Sequence, residues 1–177
     1  MAIAAFALKK VTGTGPTLTN TNKHPTFLGS DIHSENASGF PIGIPPTAAQ
    51  SPAYSFECVL QWECSVAPDN SVSDIRLYGP NTQPDASTNK LKIFWDTATS
   101  YTVPTNIKSV IAITSQHNNY FSNDPGDFLS LGVEPGDNII NAVGERTIYL
   151  YSQLEIAFEA ASGAMPTQSF TMRWTEA

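Results

Sequence analysis

Chemistry in this chain would have to come from few residues. Sixteen Asp and Glu, nine Lys and Arg, three His and two Cys are spread over 177 residues. A glycosidase needs two carboxyl groups within about 10 Å. Glu57 and Glu63 share one register of an alternating stretch, but six residues of strand separate them by about 20 Å. Glu155 and Glu159 share another register at about 13 Å. One echo stands out: Asp124-Pro125-Gly126-Asp127 and Glu134-Pro135-Gly136-Asp137 are both acid-Pro-Gly-acid. Pro-Gly is a favoured centre of a type II turn, and its flanking acids can bond backbone donors or face solvent. Hard oxygens converging from two turns would also suit calcium. Asp124, Asp127, Glu134 and Asp137 are therefore the candidate calcium ligands, although the denser Asp/Asn run of calcium loops is missing. The expectation is no bound metal and no cofactor.

Other chemistries lack their residues. There is no G-x-S-x-G elbow, no phosphate-binding or dinucleotide glycine loop and no H-E-x-x-H pair. Cys58 and Cys64 lie six residues apart in one predicted strand, about 20 Å from each other. A disulfide needs Cα atoms within about 7 Å, so they read as two buried free thiols behaving as small hydrophobes. His24, His33 and His117 do not share metal-ligand spacing with them. The expectation is a protein that is not an enzyme.

Composition narrows the partners. Charged residues are 14% of the chain, against about 25% in average globular proteins. Thr, Ser and Asn supply about a quarter of it, so the surface must be largely neutral-polar. The net charge is −7 and the longest basic run is Lys9-Lys10. Such a chain has no electrostatic footprint for phosphate backbones, and no nucleic-acid partner is expected. The apolar start, Met1 to Leu8, lacks a positive n-region before it. No run approaches the roughly 20 apolar residues of a membrane span. A cytoplasmic product with no membrane partner is expected.

The elements that would position these residues read as strands. Tyr54, Phe56, Cys58, Leu60, Trp62, Cys64 and Val66 are apolar at every second position, with Ser55, Glu57, Val59, Gln61, Glu63 and Ser65 between them. This period of two predicts a strand with one buried and one wet face. Ala67-Pro68-Asp69-Asn70 has turn chemistry, and Ser71–Tyr78 follows as the second arm of a hairpin. Leu91, Ile93 and Trp95 mark a third strand; Thr99–Val103 and Lys108–Ser115 mark a fourth and fifth. A short helix is placed over Asn138–Val143. Ile148–Phe158 and Phe170–Thr175 alternate again and predict a closing hairpin, with a bulge at Ser152. Trp62, Trp95 and Trp174 all fall on inward positions and read as core. Tyr149 and Tyr151 fall on outward positions and read as an interface or a sugar platform.

Residues 1–50 differ from the rest. Five prolines interleave with five glycines there, which breaks regular structure. Strand-like pieces are Ala7–Thr12 and Thr26–Ile32. The predicted organisation is an extended Pro/Gly-rich arm over 1–50 and a β-sandwich over 51–177. The fold class is all-β, an antiparallel, jelly-roll-like sandwich.

Two stretches carry a resemblance. Tyr54 to Glu57 and on through Cys64-Ser65-Val66-Ala67-Pro68-Asp69-Asn70 to Tyr78 resembles the strand-turn-strand of virion structural proteins of tailed bacteriophages. Tyr149-Leu150-Tyr151-Ser152-Gln153-Leu154 through Phe170-Thr171-Met172-Arg173-Trp174-Thr175 is similar to their closing hairpin. The resemblance covers about a third of the chain and brings no catalytic residues. It implies a non-enzymatic capsid decoration (cement) protein, or otherwise a tail component, located in the virion and in the host cytoplasm during assembly. The implied partners are the major capsid protein or other virion proteins, engaged by a homo-oligomer. The expected interface residues are Phe6, Leu8, Phe27, Phe40, Ile42, Ile44, Tyr149 and Tyr151. A glycan-binding sandwich is the rival expectation.

Overall fold

The computed structural model describes residues 3–21, 27–32, 42–78, 91–106, 129–134, 138–160 and 171–177. The strands are β1 (Ala5–Thr12), β2 (Thr17–Asn20), β3 (Ala53–Tyr54), β4 (Cys58–Val66), β5 (Val72–Tyr78), β6 (Leu91–Ala98), β7 (Leu129–Leu131), β8 (Val133–Glu134), β9 (Arg146–Thr147), β10 (Tyr149–Ile156) and β11 (Thr171–Glu176). All strand pairings among the described residues are antiparallel. Among the described residues the helical turn is a single 3-10 turn, Ala48–Gln50. The protein is all-β, as the alternation predicts.

Two sheets enclose the core. The larger runs β2-β1-β4-β10, with β6 along the far side of β10 and β3 continuing the line of β4. The smaller is β11-β5-β7. Cys58, Leu60 and Cys64 of β4 and Leu150 and Leu154 of β10 face Val72, Ile75 and Leu77 of β5 across a shared apolar cluster. Each such fully buried aliphatic side chain contributes roughly 1.5–3 kcal/mol. The three tryptophans join this cluster: Trp95 is buried, and Trp62 and Trp174 pack against it.

Pairing differs from the hairpins expected. β4 and β5 lie in different sheets, so Ala67–Asn70 is a crossing between layers rather than a hairpin turn. β10 and β11 are likewise split between the sheets. Alternation fixes which side of a strand is buried and carries no information about its neighbour. Here the inward sides of β4 and β5 meet face to face, which a flat hairpin does not allow.

The amino-terminal segment is also not an arm over residues 5–20. β1 occupies an interior place beside β4, with Phe6 opposite Cys64 and Val11 opposite Val59. β2 folds back on β1 through a turn in which Gly13 takes φ +85°, a conformation that favours glycine. Residues 27–32 bend rather than forming the expected strand. Thr99–Val103 is not a ladder strand, and Asn138–Val143 is not a helix: Ile140 bridges to Val72 there. Ser152 sits in a regular ladder between Cys58 and Trp95, without a bulge. The strand expected over Lys108–Ser115 lies outside the described residues.

Candidate functional site

The outer face of the large sheet is where the polar chemistry gathers. The period-two reading gave this face to water. Instead Val11, Val59, Tyr149 and Tyr151 form a second buried apolar cluster there, with Leu18, Ala98 and Tyr101 packed on it. The segment from Thr99 to Asn106 covers it. Tyr151 is fully buried, and its hydroxyl oxygen accepts the Thr102 N–H at 2.6 Å while its O–H donates to the Thr102 carbonyl at 3.1 Å. Tyr101 stacks at a tilt on Tyr149, 5.7 Å between centroids, and donates to the Gly13 carbonyl at 2.6 Å.

Polar side chains complete the cover. Glu57 accepts from the Thr105 N–H at 3.1 Å, and the Glu57 N–H donates to the Thr105 carbonyl. Gln153, also buried, donates to the carbonyls of Ser55 and Thr105. Gln61 donates to Glu134 at 2.9 Å and to the Thr147 carbonyl at 3.0 Å. Tyr149 donates to the other Glu134 oxygen at 2.9 Å. Burial first, and Glu134 beside it, push the Tyr149 hydroxyl up to about 12. Burial likewise raises Tyr151 and Tyr101. These hydroxyls stay protonated near neutral pH and can donate hydrogen bonds.

Beyond this cover the same face turns ionic. Lys9 and Glu63 come from β1 and β4, and Arg146 from β9. Glu63 binds Lys9 Nζ at 2.9 Å through one oxygen and Arg146 Nε at 3.0 Å through the other. Lys9 Nζ also donates to Asn20 Oδ1 at 2.5 Å. The Lys9 hydrogen bond, with Arg146 behind it, holds the Glu63 carboxyl below the usual carboxylate range.

The predicted interface residues are dispersed. Phe6 packs edge-on against Trp174 at 5.1 Å and Phe27 against Trp95 at 6.3 Å. Leu8 and Ile42 pack on the same inner cluster. Tyr149 and Tyr151 are buried in the second cluster, so the surface tyrosine platform expected from their register is corrected. Ile44 is 37% exposed, and Phe40 lies outside the described residues. Of the calcium candidates, Glu134 is described, and both its oxygens are taken by Gln61 and Tyr149. Asp124, Asp127 and Asp137 lie outside the described residues. Among the described residues no group of three His, Cys, Asp or Glu is placed to hold a metal ion. Cys58 and Cys64 are free and buried, as expected.

The sequence reading passed over Gln61, Gln153, Lys9 and Asn20. The available signal was glutamine in the middle of strands otherwise flanked by Val, Leu and Tyr. A long amide at such a place needs buried partners.

One end of the molecule carries exposed aliphatic side chains. Ile3 is 71% exposed, Val143 64% and Val66 46%. They lie on adjoining backbone: Ala5 pairs with Val66, and the Gly144 N–H donates to the Cys64 carbonyl.

Fold and face together define an antiparallel two-sheet β protein whose larger sheet is covered on its inner face and over part of its outer face. No protein-family model matches the chain, and neither a curated protein nor a solved structure matches it. Among the described residues no helix is long and apolar enough to cross a membrane.

Proposed function

We propose that the protein is a non-enzymatic structural component of a bacteriophage virion, specifically a decoration protein that binds the assembled head. The observation that carries this reading is the exposed aliphatic end formed by Ile3, Val66 and Val143. Contiguous apolar side chains left in water are a recurrent feature of protein-binding surfaces. The low charge of the chain, 14%, agrees with a surface that meets protein. The burial of the large sheet on its inner face and over part of its outer face supports a rigid scaffold rather than an open cleft. Tail attachment is the same chemistry on another lattice. The glycan-binding alternative loses its tyrosine platform, because Tyr149 and Tyr151 are internal.

A decoration protein binds only the assembled lattice and stabilises it by mass action. The test is cosedimentation with purified heads of the phage that carries the gene, together with the melting temperature of those heads. Binding and a raised melting temperature are expected, and both should be lost in Ile3→Asp/Val143→Asp. A protein that stays in the supernatant and leaves head melting unchanged refutes the head reading; capture by purified tails instead moves it to the tail. Sedimentation velocity of the free protein tests the homo-oligomer.

A further inference from the structure

We infer that Lys9 and Asn20 join in an intramolecular isopeptide bond, with Glu63 as the proton carrier. The three side chains converge on one atom. Lys9 and Asn20 are direct register partners on β1 and β2. Lys9 Nζ stands 2.5 Å from Asn20 Oδ1, closer than the roughly 2.7–3.2 Å of ordinary N–H···O bonds. The same nitrogen is 2.9 Å from Glu63 Oε1. Arg146 holds the second Glu63 oxygen at 3.0 Å, which fixes the carboxylate toward the lysine. The Lys9 side chain is 15% exposed, and Asn20 stands at the exposed end of β2. Neighbouring strands thus present an amine, an amide and a carboxylate with the translational cost of meeting already met.

The step balances without a co-reactant. The Lys9 ammonium passes a proton to Glu63 along their 2.9 Å contact, a loss that rising pH favours. The neutral amine attacks Asn20 Cγ, forming the N–C bond and a tetrahedral centre. Glu63 returns the proton to the amide nitrogen, the C–N bond breaks and ammonia leaves. A further proton from the former lysine nitrogen goes by way of Glu63 to ammonia. The net change is ammonium plus primary amide to secondary amide plus ammonium, with the carboxylate regenerated. The product ties β2, at the end of the large sheet among the described residues, to β1 and fixes their register. This holds whatever the protein assembles with.

Intact-mass spectrometry of the full chain tests it, on fresh protein and after incubation in mildly alkaline buffer, where more of the lysine is neutral. The expected result is a population lighter by one ammonia, with a branched tryptic peptide joining Lys9 to Asn20. Lys9→Arg keeps the ion pair with Glu63 and should keep the full mass, as should Glu63→Gln. Asn20→Asp should lose one water and give the same final mass as the wild type. Full mass in both wild-type samples overturns the proposal. So does an ammonia loss that persists in Lys9→Arg, or one without the branched peptide, which would mark a succinimide at an asparagine.

Discussion

Gln61 shows what a single side chain carries here. It is fully buried and donates to both Glu134 and the Thr147 carbonyl. Replacing it by Met keeps the volume and strands those acceptors. An unmet buried partner costs about 1–3 kcal/mol, so Gln61→Met should lower the urea midpoint by that equivalent with an unchanged m-value. Tyr149 carries a pH signature. Its hydroxyl titrates at an ordinary 10.0 when unfolded and at about 12 in the fold. A raised folded value means its stabilisation is complete below pH 10 and lost as pH rises toward 12. Denaturation against pH should therefore show an alkaline fall beginning near pH 10, shallower in Tyr149→Phe. Tyr54, raised to about 12 by burial and Glu155, contributes to the same limb and keeps it from vanishing. These residues were legible as strand residues and illegible as partners, because a partner is chosen by the fold.

At the scale of elements, β1 decides whether residues 5–20 are an appendage or part of the body. It lies along seven residues of β4 and gives Val11 to one buried cluster and Phe6 and Leu8 to the other. Deleting residues 1–21 should therefore abolish cooperative unfolding and near-ultraviolet dichroism, whereas an arm would be lost without effect. The Pro/Gly content pointed to irregular chain over residues 1–50, yet the eight residues Ala5–Thr12 contain neither. Averaging composition over fifty positions hid that run. β4 offers a second case. Leu60 is nearly fully buried on the inner face, and Leu60→Ala should cost about 2–5 kcal/mol by creating a cavity. Thermal denaturation checks it.

The whole molecule is held without a disulfide. Burial raises both Cys58 and Cys64, and the thiolate is the reactive form. Neither thiol should react with an aromatic disulfide reagent in native buffer, and both should react once denaturant unfolds the chain. Rapid labelling of the native protein would show the two sheets parting. The two thiols stay apart because they sit on one extended strand, a conclusion already available from their spacing.

The amino-acid sequence by itself determined the class of structure. Period-two alternation, turn residues between runs and the absence of any helical period leave an antiparallel β fold with Trp62, Trp95 and Trp174 turned inward. It also determined that Cys58 and Cys64 cannot pair, since extended backbone sets their distance. Tertiary structure alone decided which strands are neighbours, because alternation is a property of one strand and pairing a property of two. It alone decided that part of the outer face of the large sheet is buried. That cover is built by Tyr101, Thr102 and Thr105, about fifty residues away in sequence from Tyr151, Gln153 and Glu57. A face reads as wet or dry only when the chain that covers it has arrived.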